Sequence, residues 1–133
     1  METQASLVVD GEGTIGQIVA TKTMAELIAK SKKFGAAFGV ISNATDIAMA
    51  ANYAFLALEQ DCIGIVASTA GPANVAPWGG REAVFGPDPL AVAISTDSAV
   101  PLVIDMCCAT YSVGTLVEAA RRKDRSRSGG GRS

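Results

Sequence analysis

A glycine-rich turn near the start of the chain has a composition and spacing that could do chemistry. Gly11, Gly13 and Gly16 form the pattern G-x-G-x-x-G between an apolar run and a helical pattern. The backbone N–H groups of such a turn can bind a pyrophosphate. However, Glu12 lies inside the turn, where its charge would repel a phosphate, and the nearest acid after the next apolar run is Asp46. A phosphate-binding turn and a structural turn are therefore both open.

The chain contains no histidine, the side chain that most often transfers protons near neutral pH. Acid–base chemistry would therefore depend on Asp, Lys, Tyr or water. The three cysteines, Cys62, Cys107 and Cys108, have no C-x-x-C spacing, so we expect neither a metal site nor a disulfide framework. They are predicted to be small buried side chains of a protein from a reducing compartment.

Residues 76–94 are the most tightly specified stretch of the chain. They contain the only tryptophan, Trp78, and three of the five prolines. Proline fixes φ and glycine permits positive φ, so a loop of this kind can hold its backbone close to a ligand. Composition alone favours the alternative, a structural loop that crosses the edge of a sheet.

This stretch resembles the signature P-(Y/W/F)-G-G-R-E-x-x-x-G-T-N-P of the malate/L-lactate dehydrogenase family, which is distinct from the Rossmann-type lactate and malate dehydrogenases. Residues 77–82 and Gly86 match the signature, whereas residues 87–89 read P-D-P in place of T-N-P. Residues 105–106 match the start of a D-M-A-T-S motif, and residues 119–122 match A-A-R-R. The resemblance extends from about residue 6 to residue 122, and we expect family members to continue beyond both ends of this chain.

The resemblance implies an NAD- or NADP-dependent oxidoreductase of 2-hydroxy acids or 2-keto acids, in which hydride passes between nicotinamide and C2 of the substrate. It also implies a homodimer. Asp46 occupies the position of the family's catalytic His, and Ser42 that of an Arg. The alternative for Asp46 is a first-turn Asp that stabilises a helix N-terminus, and Asp105 could equally cap the next helix. The positions that correspond to cofactor contacts are Ala70, Pro87, Asp88, Pro89, Asp105, Met106 and Cys107.

Periodicity predicts the elements that must position these residues. The last two strands are separated by so few residues that they should form a hairpin, which makes the sheet mixed. The chain is therefore expected to be an α/β protein, a three-layer domain with a mixed β-sheet covered by helices, of a non-Rossmann NAD(P)-binding type. Strands are predicted at residues 5–9, 37–41, 62–68, 90–94 and 101–106, and helices at about 17–34, from Asn43 or Thr45 to 58, and 113–123.

Charge divides the chain into two parts. Residues 1–120 hold five basic and twelve acidic side chains, whereas residues 121–133 hold six basic and one acidic. We expect a single domain over residues 1–120 and a disordered Ser/Gly/Arg-rich tail over 121–133. The acidic body argues against nucleic acid as a partner, although the tail leaves that hypothesis open. No apolar run reaches the roughly 20 residues that span a bilayer, and the start is unlike a signal peptide, so a cytoplasmic protein is expected.

Two functions from different classes are consistent with these residues. The first is the oxidoreductase, in a full or a truncated and inactive form. The second is a catalytically silent binding or assembly module that keeps the fold, which the absence of histidine and the replacements at Ser42, Asp46, 87–88 and Thr115 favour.

Overall fold

The structure is a computed structural model that describes residues 2–122. Its strands and helices alternate in the first half of the chain, and two further strands and a helix complete the second half. In chain order they are β1 Ser6–Asp10, α1 Gly16–Phe34, β2 Phe38–Ser42, α2 Ala51–Leu58, β3 Gly64–Ala67, β4 Leu90–Ile94, β5 Leu102–Met106 and α3 Val113–Arg122. The predicted α/β class is confirmed.

The first half is a strand–helix–strand unit. β1 and β2 pair in parallel, with Leu7 opposite Gly39, and α1 connects them and packs on both strands. A Cβ on Gly39 would lie 2.7 Å from the Leu27 side chain, so glycine lets the helix approach β2 closely. Gly35 ends α1 at φ 88°, and its N–H bonds the carbonyl of Ser31, as expected for a glycine after the last helical residue.

The helix predicted to start at Asn43 or Thr45 begins only at Ala51, so that predicted start is wrong. Asn43 has a φ of 51°, and its side-chain amide donates to the Asp10 carboxylate. The Thr45 hydroxyl accepts the N–H of Gly16, the first residue of α1. Both candidate capping side chains therefore bind groups of the β1–α1 unit and are not used at the start of α2.

The second half is an antiparallel sheet of three strands in the order β3-β4-β5. Val92 of β4 lies opposite Ile65 of β3 and Ile104 of β5. The predicted hairpin between the last two strands is confirmed. Parallel and antiparallel pairs both occur, but in the described residues they form two separate sheets, a parallel pair and this antiparallel trio.

Alanine dominates the core. The core lies between α2 and β4. Ala51 and Ala54 of α2 pack on Ala91 and Ala93 of β4, and Ala50, the residue before α2, belongs to the same cluster. A Cβ on Gly64 of β3 would overlap the backbone of Ala54, so helix and strand lie in direct contact. Small side chains let α2 approach the sheet closely, and this contact covers one face of it.

The opposite face of the three-stranded sheet, which we call the outer sheet face, has no helix over it within residues 2–122. β3 was predicted to be covered on both faces, but Ile65 is 65% exposed and Ile104 is 43% exposed. The outer sheet face consists of Ile65, Ala67, Leu90, Val92, Ile94, Leu102, Ile104 and Met106.

The predicted basic tail lies almost entirely outside the described residues. Arg121 and Arg122 form the last turn of α3, while residues 123–133 are not described. Among residues 2–122, no helix is both long enough and apolar enough to cross a membrane.

Candidate functional site

The glycine-rich turn uses its backbone groups within the chain. The N–H of Gly11 bonds the carbonyl of Ser42, and the N–H of Gly13 bonds that of Asn43, each at 2.8 Å. A Cβ on Gly16 would overlap the carbonyl oxygen of Thr45. The segment after β2 therefore lies where a phosphate would have to bind, and the geometry favours the structural interpretation of this turn.

Electrostatics near the turn supports the same interpretation. A pocket of about 270 Å³ lies between the turn and α1, and its charged lining is Asp10, Glu12, Lys22 and Glu26. Hydrogen bonds from the backbone N–H of Glu12 and then from the Asn43 amide lower the pKa of Asp10. Three acids against one lysine make this pocket unfavourable for a pyrophosphate.

The predicted cofactor residues meet at one edge of the three-stranded sheet, which we call the site edge. Ala67 at the end of β3 lies opposite Leu90, the first residue of β4, and Leu90 lies opposite Met106, the last residue of β5. Because each of the three strands runs antiparallel to the strand before it, the end of β3, the start of β4 and the end of β5 share this edge. The site edge brings together Ala70, Pro87, Asp88, Pro89, Asp105, Met106 and Cys107.

Backbone hydrogen bonds connect the chain segments at the site edge. The N–H of Ser68 donates to the carbonyl of Pro89 at 3.1 Å, and the N–H of Cys108 donates to that of Pro87 at 2.7 Å. The strand register places Asp105 opposite Ala91, on the face that α2 covers, and Met106 on the outer sheet face. The candidate side chains therefore surround the edge and do not all lie on one face.

Asp88 holds the two ends of the β3–β4 connection together. Its carboxylate oxygen accepts the N–H of Ala70 at 3.1 Å, and its backbone adopts a φ of 38°. Gly86 is needed beside it, because a Cβ there would overlap the carbonyl oxygen of Ala70. The match of Gly86 to the family signature marks this position, but the sequence does not show which group the glycine accommodates.

Asp46 lies outside this network of hydrogen bonds. It is exposed, and its carboxylate accepts the N–H of Ala48 at 3.2 Å. It precedes α2 by five residues, so it is not a first-turn residue of that helix as the alternative interpretation supposed. Ser42 lies at the end of β2, and its carbonyl accepts the N–H of Gly11.

The segment that follows Asp46 is anchored to the core. Ile47 packs on the alanine core formed by α2 and β4. Tyr53 fixes this segment by donating its hydroxyl to the carbonyl of Ile47, a contact that the sequence did not indicate.

Tyr53 also shows that the charge of Asp46 acts on its surroundings. Tyr53 is buried, and burial raises the pKa of its phenol, with a further contribution from the negative charge of Asp46. Both effects disfavour the phenolate. Tyr53 is therefore a neutral hydrogen-bond donor that positions residues 46–50.

The cysteines differ from the prediction. Cys107 and Cys108 are exposed and Cys62 is half-buried, and all three are free thiols. Cys107 and Cys108 follow β5 at the site edge, where the chain leaves the sheet, which explains their exposure. Within residues 2–122, no group of three or more Cys, Asp or Glu side chains could hold a metal ion.

Comparison with known proteins places this geometry in a family. A family model for malate/L-lactate dehydrogenase matches residues 1–131. The chain is 36% identical over 122 residues to L-sulfolactate dehydrogenase from Methanocaldococcus jannaschii. The aligned region covers 92% of this chain and 35% of that protein. It is 32% identical over 107 residues to 2,3-diketo-L-gulonate reductase from Haemophilus influenzae. That aligned region covers 80% of this chain and 31% of the reductase.

The fold agrees with the sequence match. The crystal structure of malate dehydrogenase from Entamoeba histolytica superimposes with a TM-score of 0.84 at 32% identity, over 92% of this chain and 34% of that one. The chain thus spans about a third of the length of the relatives that it matches. It belongs to the malate/L-lactate dehydrogenase family.

Proposed function

We propose that the chain is an NAD- or NADP-dependent oxidoreductase domain for small 2-hydroxy acids or 2-keto acids. The observation that supports this most directly is the site edge. Residues that are distant in sequence and that correspond to the family's cofactor contacts are joined there by hydrogen bonds from Ser68, Ala70 and Cys108.

The residue types at the site edge fit a nicotinamide nucleotide. The exposed carboxylate of Asp105 can accept hydrogen bonds from ribose hydroxyls. Ala70 and residues 87–89 are half-buried and fixed, so they can define one wall. When bound, the cofactor would supply the hydride acceptor or donor.

Asp46 is the proposed acid or base for the substrate hydroxyl or carbonyl. Asp46 is exposed in the chain alone, so this role requires that a bound substrate and cofactor exclude water from it. Tyr53 would keep Asp46 in position through its bond to Ile47.

A catalytically silent binding or assembly module is the second candidate. It is favoured by the exposure of Asp46 and by the absence of any histidine from the chain. Such a module would keep the site edge and could bind dinucleotide, but it would not turn over substrate.

We also propose a homodimer in the cytoplasm. The apolar outer sheet face supports self-association, and the free thiols of Cys62, Cys107 and Cys108 support a reducing compartment. We further propose that residues 1–120 form a single domain, from which α3 continues to Arg122.

The test is a titration of the purified chain with NADH and NADPH, followed by nicotinamide fluorescence and by melting temperature. A saturable signal together with a higher melting temperature is expected if the site edge binds dinucleotide. No change in either readout at millimolar cofactor would contradict the proposal.

Turnover then distinguishes the two candidates. The oxidoreductase should oxidise NADH or NADPH in the presence of pyruvate or oxaloacetate, and Asp46→Asn should abolish this activity while leaving dinucleotide binding intact. The silent module should bind dinucleotide without turnover, and Asp46→Asn should change nothing.

A further inference from the structure

Residues 76–84, the signature loop, form a closed projection from the connection between β3 and β4. Val75 and Phe85 form an antiparallel bridge at its base, where the N–H of Val75 bonds the carbonyl of Phe85 and the N–H of Val84 bonds that of Val75. The same connection carries Ala70 and Asp88 at the site edge. The loop is therefore anchored to the proposed cofactor site.

The tip of the signature loop is rigid. The N–H of Gly80 bonds the carbonyl of Pro77 at 2.8 Å, and Gly79 has a φ of 74°, which is the geometry of the third position of a type II turn. A Cβ on Gly80 would lie 2.8 Å from the Pro77 ring. Trp78 thus occupies the corner of a turn that both glycines and Pro77 fix in place.

Trp78 is fully exposed, the most exposed large hydrophobic residue within residues 2–122. A large aromatic side chain that a rigid turn holds in solvent loses the favourable burial that tryptophan normally gains. Its ring has two free faces, and planar bases stack on such faces. The arrangement is suited to a flat ligand or to a protein partner.

Arg81 adds a positive charge to the same turn. It is the only basic residue between Lys33 and Arg121, and among the described residues no ion pair includes it. Of the acids in this half, Asp88 accepts the N–H of Ala70 and Asp105 lies on the sheet face that α2 covers, and neither forms an ion pair with Arg81. A pyrophosphate or phosphate that binds near the loop needs a cation, and Arg81 is the basic side chain of the β3–β4 connection.

We propose that the signature loop binds the adenosine half of the dinucleotide, with Trp78 stacked on the adenine and Arg81 paired with a phosphate. This inference rests on the proposed function, in which the site edge binds the nicotinamide half. Val75, at the base of the loop, follows Ala70 by five positions, a span of at most about 18 Å when fully extended. One dinucleotide can therefore contact both the site edge and the loop.

The single tryptophan makes the test specific, because all tryptophan emission comes from Trp78. The purified chain is titrated with AMP, with ADP-ribose and with nicotinamide mononucleotide, and the tryptophan emission is recorded. AMP and ADP-ribose should quench Trp78, and nicotinamide mononucleotide should not. Bound NADH should additionally receive excitation energy from Trp78.

Two variants test the residues separately. Trp78→Ala and Arg81→Gln should each weaken NADH binding about tenfold, as measured by direct excitation of the nicotinamide. Lys22→Gln, which removes one positive charge from α1, is the matched control and should leave the affinity unchanged. The melting temperature of each variant without ligand shows that the fold is retained.

The outcomes separate this inference from the proposed function. If NADH binds but Trp78 emission and both variants are unaffected, the loop does not contact the cofactor and the inference is overturned, while the proposed function stands. Equal quenching by nicotinamide mononucleotide would overturn the assignment to the adenosine half. If NADH gives no binding signal at all, the proposed function fails and the inference fails with it.

Discussion

Asp88 combines two requirements in one residue, a hydrogen-bond acceptor for Ala70 and a positive φ. Asparagine meets both, since its amide oxygen accepts hydrogen bonds and it tolerates the left-handed region. We predict that Asp88→Asn leaves the free energy of unfolding within about 0.5 kcal/mol of the original value. It should also tighten dinucleotide binding, because it removes a negative charge beside an anionic ligand. A fluorescence titration with NADH measures this change.

The matched variant Asp88→Ala should behave differently. It removes the acceptor for the Ala70 N–H, which costs about 1 kcal/mol, and alanine at a φ of 38° is strained. Urea unfolding measures the loss of stability. If Asp88→Ala and Asp88→Asn were equally stable and bound dinucleotide equally, the Asp88–Ala70 bond would have no role in positioning the site edge.

Tyr53 makes stability depend on pH at the alkaline end. Burial, and then the charge of Asp46, raise the pKa of its phenol in the folded chain, while in the unfolded chain the phenol ionises near pH 10. Below that pH both states hold the proton. Above it the unfolded state loses the proton first, so the free energy of unfolding should fall as the pH rises beyond about 10.

Urea unfolding between about pH 9 and 11 checks this dependence. Lysines titrate in the same range, so the comparison is with Tyr53→Phe, which lacks the ionisable group but fills the same space. The free energy of unfolding of this variant should decline less steeply with rising pH. An identical decline in both proteins would mean that Tyr53 does not contribute to it.

At the level of elements, the start of α1 packs directly on residues 44–46, the segment that follows β2. A Cβ on Gly16 would overlap the Thr45 carbonyl, and backbone cannot move aside as a flexible side chain can. We predict that Gly16→Ala lowers the free energy of unfolding by about 2 kcal/mol or more, as measured by urea unfolding with circular dichroism.

Gly114→Ala in α3 is the control for this prediction. The nearest atom to a Cβ there is the Ser112 hydroxyl at 3.7 Å, so alanine fits, and its higher helix propensity should stabilise α3 by about 0.5–1 kcal/mol. If Gly16→Ala were as well tolerated as Gly114→Ala, the close approach of Thr45 to α1 would be incorrect.

The elements also show which parts of the fold the sequence could reveal. Short apolar runs and helical periodicity predicted α1, β4 and the β4–β5 hairpin, because those signals are local. The start of α2 was not predictable, since the side chains of Asn43 and Thr45 bind groups 33 and 29 residues away. The site edge could be predicted only through the family resemblance, because hydrogen bonds such as that of Asp88 to Ala70 depend on how the strands pair.

At the scale of the whole molecule, the main feature is that small apolar side chains are buried while several larger ones are exposed. Seven of the nine buried hydrophobic residues in the described chain are alanines, whereas larger side chains such as Ile65, Leu102 and Met106 are exposed. The apolar sequence of residues 62–68 correctly predicted a strand, and it also predicted cover on both faces of that strand. Within residues 2–122, helix α2 covers only one of those faces, so the outer sheet face keeps its apolar surface exposed.

This surface predicts that a second copy of the chain covers it. None of its eight side chains carries a charge, so two identical faces do not repel each other, and burying them together is favourable. Sedimentation velocity over a range of concentrations should therefore show a dimer. Ile65→Lys places a charge on this face and should raise the dimer dissociation constant at least about tenfold.

The control adds the same charge elsewhere. Gln17 is exposed on α1, so Gln17→Lys should leave the dimer unchanged. Both substitutions are at exposed positions and should alter the free energy of unfolding of the folded unit by no more than about 0.5 kcal/mol. A dimer that tolerates Ile65→Lys as well as Gln17→Lys would show that the two copies meet elsewhere. A chain that is monomeric at all concentrations would contradict self-association through the outer sheet face.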